Sequence, residues 1–324
     1  MTKSAHPERE TQNRIVTFFQ KELGYEYLGN LSEDQNYNIR WGDWKKFLYD
    51  SGFSVDFVDA IQTKFAQILS DFSQSPYHTN KEVYRILKYG LKLAEHPGES
   101  PKTVYFINWD EPEKNDFFIA EEVTINGNVE KRPDIVLYIN GIAVAVMELK
   151  KSTVSVADGI RQNVTNQREQ FIQRFFSTVQ ICAAANDSEG LRYGTSGTTE
   201  KYYLEWKEDN FTDQLQDKDD LDKEIEAACS KQLNLLEKQC YRIFQKERLL
   251  DIIHNFIIYD SGIKKVCRYN QFYAIKRCQK RLARNQGGIV WHTQGSGKSL
   301  TMVWLTKWIL ENITGARVLI ITDR

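Results

Sequence analysis

Two carboxylates and a lysine lie close together within residues 132–150. Asp134 precedes one apolar run, and Glu148 and Lys150 end the next apolar run. The runs meet at Asn140-Gly141, a pair typical of the tight turn between two antiparallel strands. Both runs are apolar on both faces, as in strands inside a sheet. We therefore predict a buried β-hairpin that carries three charged side chains at one edge.

The hairpin register decides whether these side chains share a face. Side chains alternate along a strand, so Glu148 and Lys150 project to the same side. A plain two-residue turn would place Asp134 opposite Met147 and leave Glu148 on the other face. A three-residue loop with Gly141 in the left-handed conformation, or a kink at the proline before Asp134, would restore all three to one face. We expect one of these two features.

Asp134 and Glu148 on one rigid face are expected to bind a divalent metal ion. Neighbouring carboxylates repel each other unless a cation neutralises them, and hard oxygen ligands suit Mg²⁺. Lys150 can then orient or deprotonate a water molecule that attacks a phosphodiester. The alternative is a set of ordinary surface charges, because 27% of the residues are charged.

A glycine-rich segment at 287–301, GGIVWHTQGSGKSLT, has the order that a phosphate-binding loop requires. The pattern predicts a strand at 288–291, then the loop, then a helix from about residue 298 to 310. His292 stands where the usual pattern begins with a glycine. Backbone amides and the helix N-terminus can bind phosphate oxygens, the lysine can reach the β and γ phosphates, and the following serine can hold Mg²⁺. The candidate ATP-binding residues are Thr293, Gly295, Ser296, Gly297, Lys298 and Ser299.

Composition bounds the class of protein. A length of 324 residues suggests about two domains, and the net charge of −1 means that a nucleic acid must meet local basic patches. The five cysteines form no C-x-x-C pair and there is no apolar N-terminal segment, so we expect reduced thiols in the cytoplasm. No apolar run is long enough to span a membrane.

The remaining pattern predicts an α/β sheet core. Helices are predicted at 8–23, 81–94 and 156–176, and strands at 102–108, 117–125, 178–185 and, beyond a turn, within 191–206. The segment 213–260 is predicted to be a charged helical connector with an acidic run at 217–222, and 316–323 another strand. We divide the chain into 1–212, 213–260 and 261–324. Because 26 residues follow Lys298, we expect the N-terminal portion of a longer motor protein.

An ordered set of short motifs resembles one family, the R (restriction) subunit of type I restriction-modification enzymes. The resemblance spans nearly the whole chain. The motifs, in order, are Arg132-Pro133-Asp134, Glu148-Leu149-Lys150, Arg248-Leu249-Leu250-Asp251, Arg268-Tyr269-Asn270-Gln271, WHTQGSGKS at 291–299, and Ile321-Thr322-Asp323-Arg324.

The resemblance implies a nuclease domain of the PD-(D/E)xK kind, followed by the first RecA-like lobe of a superfamily 2 translocase. It implies that Asp134 and Glu148 bind the metal and that Lys150 is catalytic, with Glu10 as a candidate helix carboxylate and Glu8 as the open alternative. Related nucleases add a Gln-x-x-x-Tyr pair on the next helix. Gln162 fits that pair, but Asn166 replaces the tyrosine. Gln271 resembles part of an adenine-contacting segment.

The implied function is Mg²⁺-dependent cleavage of double-stranded DNA by an ATP-dependent translocase, working with modification and specificity subunits. One alternative is a helicase-like motor whose N-terminal domain only grips DNA or partner subunits. Another is a nucleotide-binding transport or signalling protein, which the hairpin carboxylates disfavour. Loss of metal-dependent cleavage on substitution of either carboxylate separates the first two hypotheses.

Overall fold

The computed structural model describes residues 8–71, 73–207, 227–230 and 232–321. Its strands are β1 (Glu26–Asn30), β2 (Leu91–Leu93), β3 (Lys102–Val104), β4 (Phe117–Glu121), β5 (Ile135–Ile139), β6 (Ile142–Leu149), β7 (Ile181–Asn186), β8 (Gly190–Gly194), β9 (Ile257–Asp260) and β10 (Ile263–Val266). Six of them form one mixed sheet in the order β1-β4-β5-β6-β7-β8. The pairs β1 with β4 and β6 with β7 are parallel, and the others are antiparallel. The expected α/β sheet core is therefore present.

The described helices surround this sheet and continue into the C-terminal part. They are α1 (Glu8–Lys21), α2 (Trp41–Asp50), α3 (Val55–Leu69), α4 (Pro76–Tyr89), α5 (Val156–Asn166), α6 (Leu235–Phe244), α7 (Lys246–Asn255), α8 (Tyr269–Leu282) and α9 (Lys298–Asn312). The predicted helices that begin at residues 8 and 298 are confirmed. Helices α2 and α3 carry aromatic side chains that pack inward around the buried Trp44.

Two predicted helices were wrong at their ends. Helix α4 begins at Pro76, after the Ser75 side chain caps its first turn, and ends before Gly90, whose φ is 78°. The residues that follow form β2 instead of continuing the helix. Helix α5 ends at Asn166, and only a short 3-10 turn is present at Gln173–Ser177. In both cases a local capping or turn feature interrupts an apolar pattern that continues.

The two faces of the sheet bury different clusters. Ile135 and Leu137 belong to the larger cluster, which also includes side chains of α1, α6 and α7. Val136 and Tyr138 belong to a second cluster on the opposite face of the sheet. Helix α5 covers this same face over β6 and β7. Side chains of Asp134 and its neighbours alternate between these faces, because successive residues of a strand point to opposite sides.

The hairpin turn differs from the prediction. Asn140 and Gly141 have φ values of 49° and 78°, and Ile139 pairs with Ile142, so the turn has two residues. This is the conformation that an Asn-Gly pair favours. A Cβ at Gly141 would lie 2.5 Å from the carbonyl oxygen of Arg40, the residue before α2. The predicted three-residue loop was therefore wrong.

The extra residue lies inside β6 instead. Leu137 pairs with Ala145, whereas Tyr138 pairs with Ala143, so Val144 is unmatched. Val144 and Ala145 consequently both face the larger cluster. A bulge of this kind shifts the register by one residue. The bulge inside β6 therefore produces the one-residue register shift that was expected from the turn.

The two strands predicted in the C-terminal part are not strands in the structure. Residues 288–291 and 316–321 have no regular secondary structure, and residues 322–323 lie outside the described part. Their apolar side chains are solvent-exposed, with Ile289 96% and Trp291 90% exposed. A strand requires a neighbour that completes its backbone hydrogen bonds, and none of the described strands pairs with either segment.

The phosphate-loop helix α9 packs on the N-terminal part. Trp304 is buried against Phe256, with ring centroids 6.5 Å apart. Near the helix end, Lys88 from α4 makes an ion pair of 2.7 Å with Glu311, and the lysine side chain is only 1% exposed. These contacts connect the C-terminal end of α9 to the side of the sheet domain.

Helices α6 and α7 pack into the same hydrophobic cluster as the sheet. They lie within the predicted connector, whose acidic run at 217–222 lies outside the described residues. The five cysteines form no disulfide bond in the structure, and Cys182, Cys240 and Cys267 are buried. In the part of the chain that the structure describes, no helix is long and apolar enough to cross a lipid bilayer.

Candidate active site

The β5-β6 hairpin brings the two predicted carboxylates together. Ile135 pairs with Met147, so Asp134, one residue earlier, stands opposite Glu148 across the ladder. Residues that stand opposite in this way project from the same face of a sheet. The backbone amide of Leu149 donates to Asp134 Oδ2 at 2.6 Å, which fixes the aspartate at the end of the strand. The bulge in β6 thus creates the pair.

Both carboxyl groups are held away from water. Burial raises the pKa of Asp134 to about 6, although Lys150 and the Leu149 amide act in the opposite direction. Glu148 is fully buried, and burial followed by repulsion from Asp134 raises its pKa well above the usual range. Ionising both neighbouring carboxyl groups is costly unless a cation binds between them. The pair is therefore a favourable position for a cation.

Lys150 lies beside the carboxylates and contacts helix α1. Its Nζ is 3.8 Å from Asp134 Oδ2 and 3.5 Å from Glu8 Oε1. It also donates to the carbonyl of Leu149 at 2.7 Å. The lysine side chain is 13% exposed, so it reaches solvent while remaining within the site.

Of the two candidate helix carboxylates, Glu8 lies at the carboxylate cluster and Glu10 does not. Glu8 begins α1 and reaches Lys150, whereas Glu10 is solvent-exposed. Two residues along an α-helix correspond to a rotation of about 200°, so Glu10 projects from the opposite side. Sequence reasoning could not choose between them because the rotation of α1 about its axis depends on tertiary packing.

Helix α5 supplies two amide side chains to the oxygens of Glu148. Gln162 Nε2 donates to Glu148 Oε2 at 2.7 Å, and Asn166 Nδ2 donates to Oε1 at 3.1 Å. Gln162 was a candidate from the sequence. Asn166 was noted only as the replacement for an aromatic residue, although its spacing of four residues from Gln162 places both on one face of the helix.

Close packing holds α5 in this position. Asn163 Nδ2 donates to the carbonyl of Ala183 in β7 at 2.6 Å. A Cβ added to Gly159 would lie 3.1 Å from the Cβ of Ala184, which pairs with Glu148 across β6 and β7. The helix therefore approaches the sheet closely where its two amides must reach the glutamate.

The side chains fit a magnesium ion that keeps several water or substrate ligands. Among residues 8–71, 73–207, 227–230 and 232–321, no group of three or more His, Cys, Asp and Glu side chains is placed to bind a metal. The carboxylates of Asp134 and Glu148 are hard oxygen donors. Mg²⁺ commonly takes one or two carboxylates and completes its shell with water and phosphate oxygens.

The predicted phosphate loop leads directly into α9. Gly295 and Gly297 have φ values of 77° and 91°, which allow the tight turns before the helix. Lys298 is solvent-exposed and its Nζ donates to the carbonyl of Thr293 at 3.2 Å. The Ser296 amide and hydroxyl bond to the same carbonyl. The loop is thus folded on itself, with its lysine over the turn and Ser299 exposed at the helix start.

Helix α8 supports the loop from behind. Gln271 Nε2 donates to the carbonyl of Gly297 at 2.9 Å, and its Oε1 accepts from the Arg268 amide at 2.8 Å. A Cβ at Gly297 would come within 2.3 Å of Gln271 Nε2. Gln271, predicted to contact adenine, therefore holds the loop backbone in this structure, and it is itself buried.

These features define an α/β domain with a clustered acidic site, joined to a phosphate-loop segment. Two family models match separate parts of the chain. Residues 6–202 match the model described as type I restriction enzyme R protein N terminus. Residues 270–324 match the model described as SWI2/SNF2 ATPase.

The chain belongs to the family of type I restriction enzyme R proteins, because the first model covers more than half of it. It is similar to the "Putative type I restriction enzyme MjaIXP endonuclease subunit" of Methanocaldococcus jannaschii, with 25% identity over 94% of this chain and 32% of the relative. It is also similar to the type I restriction enzyme HindI endonuclease subunit of Haemophilus influenzae, with 25% identity over 76% of this chain and 24% of the relative. The chain therefore spans about a third or less of the length of these relatives.

Proposed function

We propose that the sheet domain is a PD-(D/E)xK nuclease that hydrolyses phosphodiester bonds of double-stranded DNA with Mg²⁺. The observation that carries this proposal is the placement of Asp134 opposite Glu148, with Lys150 Nζ 3.8 Å from Asp134. When bound, the metal ion supplies Lewis-acid stabilisation of charge on the phosphate and lowers the pKa of its water ligands.

The chain's own residues divide the remaining work. Asp134 and Glu148 are the metal-binding carboxylates. Gln162 and Asn166 orient Glu148 by occupying one oxygen each. Lys150, between Asp134 and Glu8, orients the attacking water and balances negative charge as the phosphodiester is attacked. The backbone amide of Leu149 keeps Asp134 turned toward the pair.

The C-terminal segment is proposed to begin the first RecA-like lobe of a superfamily 2 motor that binds ATP and Mg²⁺. The match to an ATPase model and the helix that follows the glycine loop support this assignment. Thr293, Gly295, Ser296 and Gly297 form the turn, Lys298 would hold the phosphates, and Ser299 would hold the metal ion. The relatives are named as endonuclease subunits of type I restriction enzymes, so we propose modification and specificity subunits as partners and the cytoplasm as location.

Substitution in the full-length protein, assembled with its partner subunits, tests the nuclease assignment. Asp134→Ala and Lys150→Ala are each expected to lower DNA cleavage by at least about 100-fold, as is usual when a group acts directly in catalysis. DNA-dependent ATP turnover should stay within about twofold of the unsubstituted assembly, since the phosphate loop is a separate site.

The control is Glu113→Ala, which removes an exposed carboxylate outside the site and should change neither activity. Undiminished cleavage by Asp134→Ala would overturn the nuclease proposal and favour a domain that only grips DNA or partner subunits. Equal loss of cleavage and ATP turnover by both variants would contradict the separation of the two sites.

A further inference from the structure

A buried glutamine on α1 contacts the strand end that carries Asp134. Gln12 is buried, and its Nε2 donates to the carbonyl oxygen of Asp134 at 3.3 Å. The same nitrogen donates to Glu122 Oε1 at 3.1 Å and to Glu121 Oε2 at 3.4 Å. One amide group, which carries only N–H donors on this nitrogen, therefore joins α1 to the ends of β4 and β5 beside the carboxylate pair.

The rotation of α1 places Gln12 at this position. Gln12 lies four residues after Glu8, whose carboxylate contacts Lys150. Residues four apart on an α-helix project from the same side of it. Ile15 and Phe19 are buried in the larger hydrophobic cluster and fix the rotation of the helix against the sheet. The helix therefore presents two polar side chains to the end of the β5-β6 hairpin.

Asp134 lies at the end of β5, where the regular ladder stops. It precedes Ile135, the first residue of the strand, and follows Pro133. A proline has no N–H group that could continue the ladder. The carbonyl of Asp134 accepts instead from the backbone amide of Glu122 at 2.9 Å, in addition to the bond from Gln12. Contacts outside the regular sheet therefore determine where the Asp134 backbone lies.

The backbone of Glu122 is left-handed, with a φ of 50°. This conformation is uncommon for a residue with a side chain, and surrounding contacts have to maintain it. Gln12 Nε2 binds one oxygen of the Glu122 carboxylate, and Arg132 Nε lies 3.1 Å from the other. Gln12 thus supports Asp134 in two ways, directly through its carbonyl and indirectly through Glu122.

The neighbouring Glu121 is bonded to protein donors. Its side chain is buried, and its Oε1 accepts from Arg9 at 3.0 Å and from the Tyr27 hydroxyl at 2.8 Å. Its Oε2 accepts from Gln12. A buried carboxylate whose two oxygens both accept hydrogen bonds is satisfied without a metal ion. Loss of the Gln12 amide would remove a donor from Glu121 next to Asp134.

We propose that Gln12 is a positioning residue that fixes Asp134 where it can share a metal ion with Glu148. By binding Glu121 and Glu122, the same amide also keeps these two carboxylates bonded to the protein and away from the metal ion. This inference rests on the proposed function, since the metal ion is part of that proposal. The contact is with the backbone of Asp134, so Gln12 acts through Asp134 and not on the substrate.

The test is Gln12→Met in the full-length protein, assembled with its partner subunits. Methionine is unbranched and apolar, so it can remain buried, but it has no N–H group to donate. The Mg²⁺ concentration that half-saturates DNA cleavage should rise by about tenfold, at the low end of the effects of residues that orient metal ligands. The cleavage rate at saturating Mg²⁺ should stay within about threefold, because excess metal ion selects the productive position of Asp134.

Calorimetric titration with Mn²⁺, without DNA or nucleotide, gives a second measurement that does not depend on cleavage. Gln12→Met should bind Mn²⁺ about tenfold more weakly at unchanged stoichiometry. A variant that only folds poorly would instead lower the stoichiometry and keep the affinity of the folded fraction. The matched control is Gln20→Met, which changes an exposed glutamine of the same helix and should alter neither the Mg²⁺ requirement nor the Mn²⁺ affinity.

Three results would overturn the proposal and make Gln12 a residue of the fold only. They are an unchanged Mn²⁺ affinity, a lower stoichiometry with unchanged affinity, and a lower saturated cleavage rate with an unchanged Mg²⁺ requirement. Failure of the nuclease assignment is a separate result, because it would appear as undiminished cleavage by Asp134→Ala. The Mn²⁺ titration would still measure the effect of Gln12 on the carboxylate pair.

Discussion

The carboxylate site and the phosphate loop are built in opposite ways. Asp134 and Glu148 lie at the ends of two central strands of the sheet, where β6 and α5 contribute partners to them and Glu8 of α1 contacts the neighbouring Lys150. The loop around Lys298 is exposed, and the side chains that bond to it from outside come from α8 and from Arg268 just before it. The first site is organised by a core, and the second by local glycine geometry and one helix.

This difference has an energetic consequence. Burial raises the pKa of Asp134 and Glu148, so ionising them in the folded protein without a cation is costly. The cation of Lys298 is solvated and costs little when no phosphate is bound. The carboxylate site is therefore expected to reduce stability until a metal ion binds, whereas the phosphate loop is expected to be nearly neutral for stability.

Among the substitutions that compare the two sites, Asp134→Asn is expected to change the free energy of unfolding the most. A folded pKa of about 6 against an ordinary value of 3.8 means that the free energy of unfolding is highest when the carboxyl is protonated and falls as pH rises through about 6. Removing the charge should therefore stabilise the metal-free protein at pH 7 by up to about 3 kcal/mol and have little effect near pH 4. Denaturant unfolding at both pH values measures the difference.

The matched variant is Lys298→Met, which removes a charge from the exposed loop and should change stability by less than about 0.5 kcal/mol at either pH. Added Mg²⁺ should reduce the advantage of Asp134→Asn, because the metal stabilises only the ionised pair. A stabilisation that is the same at pH 4 and pH 7 would contradict the assigned electrostatic cost.

A smaller effect is expected from Asn166→Ala. Losing one of the two amides on Glu148 should lower DNA cleavage by about tenfold, at the low end of effects seen for residues that orient metal ligands. The cleavage rate should be partly restored at high Mg²⁺ concentration if the amide positions the glutamate. Thr165→Ala, one residue away on α5, is the control and should be close to unsubstituted protein. Equal cleavage rates for the two variants at limiting Mg²⁺ would show that Asn166 does not position Glu148.

Local patterns in the sequence predicted the hairpin, the helix after the glycine loop and the proximity of Asp134, Glu148 and Lys150. They could not locate the bulge at Val144, because an unmatched apolar residue in a strand that is buried on both faces leaves no mark in the pattern. The choice of Glu8 over Glu10 depends on how α1 rotates against the sheet. The partner of Glu148 at Asn166 was visible as a spacing, but the amide is not the aromatic side chain that the resemblance led us to expect.

In the C-terminal part, the sequence predicted two strands that the structure does not have. The apolar segments at 288–291 and 316–321 have the composition of buried parallel strands, yet the structure leaves them unpaired and exposed. Composition indicates what a segment favours, whereas strand formation also needs a neighbouring backbone. The loop itself was predictable because its conformation depends on Gly295, Gly297 and the start of α9, all of which are local in sequence.

Binding of Mn²⁺, as a stand-in for Mg²⁺, to the full-length protein without nucleotide tests the central claim most directly. Calorimetric titration should detect a site that Glu148→Gln weakens by at least about tenfold, because the amide keeps the shape of the glutamate but removes its charge. Lys298→Ala should bind Mn²⁺ at this site as the unsubstituted protein does. Equal Mn²⁺ affinity in Glu148→Gln and the unsubstituted protein would contradict the assignment of Asp134 and Glu148 as a metal-binding pair.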